Sequence, residues 1–386
     1  MRSRQTWRRR ISVGTWTAQP SGNVALANSL QKAIDAGYQV KGIQVQVGRQ
    51  HLGQPVPRRY RSNLVAKIIM TDLRSSEPSI LGVSPRWPSR KTVVKWLEKS
   101  NPRPIDDLLA YNSCSDAENT LNIPPTSTYG PVGSLLRTNA ELLALTGRPW
   151  EPAMLSATGF QMFGTKLYFF WHVKFRSLYP EHPRPLRMMS WESMTEIMAM
   201  TFMLGRIQEG TYQGYLTHAA LNRKYQLQLS YEERHRRVHA FMLRLFADWR
   251  GDVSHEWPAF AYSEPVYEGI LERWREPDAD VLTPWLIAAC DRHTHESQRD
   301  SESKFYDCSA FPRTPLEILL LFRLRELVGL QNPDLCHPLM EAPYDKLPEA
   351  QPPYAPDDLV RGTLARVRED WPDFDRFVSL EALKAS

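Results

Sequence analysis

The sequence lacks the features that mark exported, membrane-spanning and disulfide-bonded proteins. Its most apolar stretches, such as LYFFWHVKF and LEILLLFRL, are too short to cross a bilayer about 30 Å thick. No apolar run follows the basic start MRSRQTWRRR, as a secretory signal would require. Four cysteines, at positions 114, 290, 308 and 336, are too few and too scattered for a disulfide framework. These absences predict a cytoplasmic protein with no membrane partner.

The sequence also lacks the short motifs of common catalytic sites. It contains no G-x-S-x-G nucleophile turn, no H-E-x-x-H pair and no C-x-x-C pair. Its GTW and GTY triplets lack the strand, turn and helix that surround a phosphate-binding loop. The sequence therefore predicts no catalytic residue, no cofactor and no metal, and the protein is not expected to be an enzyme.

Charge is distributed unevenly along the chain. The net charge is +5, but residues 1–110 carry 19 Lys and Arg against 6 Asp and Glu. Residues 251–310 have the opposite bias, with 13 acidic and 5 basic side chains. A region of this kind repels nucleic acid and attracts a basic partner.

The pattern of apolar residues predicts an α+β protein with three parts. Residues 1–125 form a basic, mixed α/β N-terminal region, because a strand, an amphipathic helix and an alternating strand follow one another before residue 50. Residues 126–185 form a connecting helix followed by aromatic strands in FQMFGTKLYFFWHVKF. Residues 186–386 show helical spacing almost throughout and predict a mainly α-helical domain.

A short segment groups potential metal ligands. Cys290, His293, His295 and Cys308 lie within nineteen positions. Their spacing does not provide the two ligand pairs that are typical of zinc sites, and His295 is too close to His293 to share its helix face. We therefore expect Cys290 to be a buried apolar residue and His293 to lie near a helix C-terminus. A metal-dependent hydrolase that uses this cluster remains an alternative.

Three segments of the C-terminal half carry a family resemblance. They are VLTPWLIAACDRHT, PLEILLLFRLRELVGLQNPDL and PPYAPDDLV. In order and character they resemble the helical PoNe-immunity type of bacterial immunity proteins, which are paired with polymorphic or type VI secretion toxins. The resemblance covers about half of the chain. It implies a cytoplasmic inhibitor that binds one cognate toxin effector and is not itself an enzyme, and it specifies no binding residues.

The acidic region supplies a candidate surface for such a partner. Four glutamates recur every four residues around SEPVYEGILERWRE, and two aromatic residues lie beside them. The predicted partner-binding residues are Glu264, Tyr267, Glu268, Glu272, Trp274 and Glu276. A nuclease toxin must present basic groups to phosphates, so acidic side chains would complement it.

A nucleic-acid-binding accessory protein is a further alternative. It would use the N-terminal arginines around Trp7 to contact phosphates and stack on a base. The sequence has no recognisable nucleic-acid fold motif, and it does not specify an oligomeric state.

Overall fold

The described part of the chain is built from α-helices and contains no strand. The computed structural model describes residues 78–99, 124–180, 191–221, 237–252, 257, 259–297, 308 and 310–385. Contacts between Cα atoms divide the chain into two units, residues 1–77 and 78–386, and all these helices belong to the second unit. None of the described helices is long and apolar enough to cross a membrane.

The described residues form α-helices and two single turns of 3₁₀ helix, Ala259–Tyr262 and Pro338–Met340. The first six are α1 (Arg90–Glu98), α2 (Pro124–Leu145), α3 (Glu151–Leu178), α4 (Trp191–Met203), α5 (Ile207–Leu221) and α6 (Arg237–Trp249). The last six are α7 (Pro265–Arg273), α8 (Ala279–Glu296), α9 (Leu316–Leu327), α10 (Asp358–Asp370), α11 (Phe374–Phe377) and α12 (Leu380–Lys384).

Local sequence explains where several helices begin and end. The hydroxyl of Ser89 accepts a hydrogen bond from the backbone N–H of Thr92 and so caps α1. Asp278 and Asp357 cap α8 and α10 in the same way. The chain leaves α2 at Gly147, whose φ of +72° lies in the left-handed region that glycine adopts without strain.

The predicted α+β fold class is wrong, because the described residues are helical. The aromatic segment predicted as strands forms most of α3. Among its buried side chains, Phe160, Phe163, Leu167, Phe170 and Val173 recur every three or four positions, which is the spacing of one helix face. The predicted strands and helix before residue 50 lie outside the described residues.

A large apolar core is formed by residues of α2, α4, α6, α7, α8 and α9. Phe202, Phe241 and Phe246 are among its largest fully buried side chains. Burial of each such side chain contributes about 1.5–3 kcal/mol. The helices α4, α6, α8 and α9 are therefore fixed relative to one another by close packing, and so are the polar groups that they carry.

A second apolar core lies between α2, α3 and α5 and the C-terminal helices α10 to α12. Tyr129 of α2 packs edge-on against Phe163, with ring centroids 4.9 Å apart, and its hydroxyl donates to Thr363 Oγ1 at 2.8 Å. Tyr215 of α5 packs against both cores. The two cores thus share side chains and helices.

Buried charges also connect helices of the large core. Arg137 of α2 donates a hydrogen bond to Glu196 of α4 at 2.7 Å, and Glu196 lies 3.3 Å from His239 Nε2 of α6. Glu141 lies one turn from Arg137, with an N–O distance of 3.9 Å. Because Glu141 and Glu196 share Arg137 away from water, their ionisation is sensitive to one another.

Candidate functional site

The six predicted binding residues along α7 divide between the core and the surface. The buried ones are Glu264, Tyr267 and Trp274. The exposed ones are Glu272 and Glu276, and Glu268 is intermediate. The structure therefore does not present them as one continuous row. Only nine residues form α7, so Glu264 precedes the helix and Glu276 follows it.

The two aromatic residues of this set contribute to internal packing. Tyr267 stacks on Phe241, with ring centroids 4.6 Å apart. Trp274 donates a hydrogen bond from Nε1 to Asp248 at 2.5 Å. Their rings stabilise the attachment of α7 to α6, so in this conformation they are not available as anchors for a partner.

Two of the glutamates are held in internal ion pairs. Glu264 Oε2 lies 2.9 Å from Arg237 and 2.7 Å from Arg292. Burial raises the pKa of Glu264, and the two arginines oppose this rise. Glu268 accepts two hydrogen bonds from the guanidinium of Arg244. Replacing either glutamate would break an internal ion pair, so neither is suited to test surface binding.

The exposed acidic side chains gather where α7 ends, α8 begins and α9 ends. We call this group the acidic surface; its members are Glu272, Glu276, Asp278, Asp280 and Glu326. Three arginines lie beside it, and Arg323 pairs with Glu326 at 2.8 Å. Arg273 pairs with Glu272 and stacks on Trp285, while Arg275 pairs with Asp248. The acidic surface keeps an excess of negative charge.

Exposed aliphatic side chains lie next to the acidic surface. Val281 is 43% exposed, Leu327 is 41% exposed and Val328 is 44% exposed. A fully buried guanidinium holds their two segments together: Arg325 of α9 donates hydrogen bonds to the backbone carbonyls of Trp274 and of Glu276, the latter at 3.1 Å. The last turn of α9 is therefore fixed against the connection between α7 and α8.

A different group of polar side chains is completely buried between α8 and α9. We call it the donor cluster; it consists of His293, Cys308 and Glu317, each with no exposed area. One potential metal-binding atom from each residue lies within 4.8 Å of those of the other two. His293 Nδ1 and Glu317 Oε1 are 2.8 Å apart and share a hydrogen bond.

Further ionisable groups surround the donor cluster. Burial raises the pKa of Tyr267 well above its usual value, and the negative groups Glu317, Cys308, Glu296 and Glu264 raise it further. Arg292 Nε lies 2.6 Å from Glu296 Oε1 and joins Glu296 to Glu264. Carboxylates therefore outnumber arginines in this part of the core.

Only two of the four potential ligands predicted between 290 and 308 come together. Cys290 is buried, as expected, and lies outside the donor cluster. Burial raises the pKa of its thiol well above the usual value. His295 lies on another face of α8, with its Nε2 3.1 Å from the carbonyl oxygen of Gly82. His293 is near the C-terminus of α8, as predicted, but its nearest polar partner is Glu317.

Sequence reasoning missed Glu317, Leu327 and Val328. Glu317 is a single acid inside the apolar run LEILLLF, and a charge in such a run indicates a buried polar contact. Nothing in the sequence pattern distinguishes Leu327 and Val328 from core residues, because they continue the apolar helix α9. Their exposure follows from the place where that helix ends.

Comparisons with known proteins assign no family to this arrangement. No protein-family model matches the chain, no curated protein is significantly similar to it, and no solved structure matches it. The resemblance to immunity proteins stays a prediction, and function has to be argued from the residues described above.

Proposed function

We propose that this protein is an immunity protein that binds a cognate secreted toxin, most simply a nuclease effector, and neutralises it. It would do so by covering the active cleft of the toxin or by blocking assembly of its active form. The chain acts as a stoichiometric inhibitor and performs no catalysis in this proposal.

The observation that carries the proposal is the position of the acidic surface. Two of the three segments that resemble immunity proteins border it: residues 281–294 begin at Val281, and residues 315–335 contain Leu327, Val328 and one of its members, Glu326. These segments supply the exposed aliphatic side chains, and the connection between α7 and α8 supplies most of the acidic groups beside them.

Such a surface suits a basic protein partner. A nuclease presents basic groups to the phosphates of its substrate, so acidic side chains accelerate its encounter with an inhibitor and repel nucleic acid. Aliphatic groups among the charges supply apolar area that becomes buried in the complex. Both contributions favour a protein over a nucleic acid as the ligand.

The described residues give less support to the two alternatives. A hydrolase needs a substrate to reach its reactive groups, whereas His293, Cys308 and Glu317 have no exposed area. The arginines proposed to bind nucleic acid lie outside the described residues. We therefore retain toxin binding as the function of this chain.

The first step of the experiment is to identify the partner protein. The tagged full-length chain is crosslinked in its source cells, and the captured protein is identified, purified and tested for nuclease activity. We then measure its affinity for the wild-type chain and for the double variant Glu272→Lys, Glu276→Lys. Charge reversal at these exposed positions should weaken binding by about 10-fold or more, mainly through slower association at low salt.

A matched control separates a local effect from a general change in charge. The variant Glu369→Lys, Glu381→Lys makes the same charge change at exposed positions on α10 and α12. It should bind within about 2-fold of wild type after correction for net charge. Equal weakening by both variants would remove the acidic surface from the proposal, and failure to find any toxin that the chain inhibits would contradict the proposed function.

A further inference from the structure

The donor cluster offers the three kinds of ligand that zinc prefers. It supplies an imidazole from His293, a thiol from Cys308 and a carboxylate from Glu317. In a tetrahedral zinc site these donors are separated by about 3.3 to 3.6 Å. Donor atoms that already lie within 4.8 Å of one another reach this spacing through side-chain shifts of about 1 Å or less.

Two of the three residues keep polar atoms that have no hydrogen-bond partner among the described residues. These atoms are His293 Nε2 and Glu317 Oε2, and both side chains are fully buried. A buried polar group without a partner is costly, and a bound ion or a trapped water is the usual explanation. The cluster therefore has unused capacity to bind a ligand.

The charge balance of the donor cluster is compatible with a divalent metal ion. Arg237 and Arg292 already contact Glu264 and Glu296, so His293 is the direct partner of Glu317. An ionised carboxylate in an apolar core requires a compensating positive charge. A divalent cation held by one thiolate, one carboxylate and one neutral imidazole gives a site with no net charge.

We propose that His293, Cys308 and Glu317 bind one structural Zn²⁺ ion. A thiolate and an imidazole favour zinc over Mg²⁺ or Ca²⁺, which prefer oxygen ligands.

The ion would join three successive segments: the end of α8, the connection that follows it and the start of α9. His293 belongs to the last turn of α8, and Glu317 to the first turn of α9. Cys308 lies in the connection between them and accepts a backbone hydrogen bond from Phe311 at 3.1 Å. Zinc binding would therefore stabilise the folded state. This inference does not depend on the proposed function.

The test uses the purified full-length protein with Zn²⁺ alone and with Co²⁺ alone. We expect one equivalent of zinc after gel filtration in metal-free buffer. Cobalt in its place should give the near-ultraviolet absorption of a cobalt–thiolate bond. This band should disappear in Cys308→Ser and persist in Cys290→Ser, a matched control because both thiols are fully buried.

A second variant covers the case in which Cys308→Ser does not fold. Glu317→Gln keeps the size of the side chain and should weaken zinc binding by about 10-fold or more, because it removes a ligand. Absence of both bound zinc and the thiolate band in the wild-type protein would overturn the proposal and indicate a trapped water. Persistence of the band in folded Cys308→Ser would assign the thiolate to another cysteine and also overturn it.

Discussion

Neutralisation of one buried carboxyl should increase the stability of the protein above neutral pH. Glu141 lies on α2 beside Arg137 and near Glu196. Burial raises its pKa to about 7; Arg137 opposes the rise, and the negative charge of Glu196 adds to it. Tyr344 also lies nearby, since the charge of Glu141 contributes to the raised pKa of its hydroxyl. The folded protein therefore favours the protonated form of Glu141.

The size of the effect follows from the two pKa values. Glu141 titrates at about 4.5 when unfolded and at about 7 when folded, so between these values the folded state binds more protons. Preferential protonation of Glu141 in the folded state contributes its full stabilisation below pH 4.5. This stabilisation is lost as the pH rises through 7. A difference of about 2.5 pKa units corresponds to about 3 kcal/mol.

The substitution Glu141→Gln removes the charge and keeps the shape. At about pH 8 the variant should be more stable than wild type by about 2–3 kcal/mol, and near pH 4.5 the two proteins should be nearly equal. Urea denaturation followed by tryptophan fluorescence measures this difference at several pH values. Glu369→Gln, on the exposed face of α10, is the control and should show little dependence on pH. A difference that does not change with pH, or a variant less stable at pH 8, would refute the reasoning.

Two further substitutions test the packing and the hydrogen bonds around the acidic surface. Gly269→Ala places a Cβ atom 2.0 Å from the buried ring of Trp285, and calorimetry should show a loss of about 1–3 kcal/mol. Gly130 lies in a helix with open space around its position, so Gly130→Ala should instead stabilise the protein by up to about 1 kcal/mol. A Gly269→Ala variant more stable than Gly130→Ala would contradict the packing argument. Arg325→Met leaves buried carbonyls without a donor and should cost about 3 kcal/mol or more in urea denaturation. Arg368→Met is the control, because Arg368 forms an exposed ion pair with Asp375 and its loss should change stability by less than about 1 kcal/mol. Equal losses of stability in Arg325→Met and Arg368→Met would rule out a special role for Arg325.

The helices after residue 186 could be predicted because their apolar residues recur at helical spacing. The helix α3 was misassigned because the abundance of aromatic residues was given more weight than their spacing. Phe160, Phe163, Leu167 and Phe170 follow a helical period, and their burial confirms it. Propensity for strands is a weaker indicator than periodicity when a segment packs against a neighbouring helix.

The candidate sites were harder to predict, because they depend on contacts between distant segments. The spacing of the glutamates around α7 suggested one acidic face, but the helix is too short to align all four. In the same way, His293 and Cys308 were noted together, whereas their contact with Glu317 arises only when α9 packs against α8. Sequence spacing shows which side chains can share a face, and tertiary packing decides which ones meet.

The hydrogen bonds of Arg325 fix the backbone beside the acidic surface independently of the side chains that this backbone carries. This guanidinium binds backbone carbonyl oxygens at residues 274 and 276, and those oxygens do not depend on the side chain attached to them. Substitutions at Glu276 or Asp280 would therefore leave the anchoring of the connection intact. If the acidic surface binds a toxin as proposed, these outer side chains can diversify to match a new toxin while the backbone that presents them stays the same.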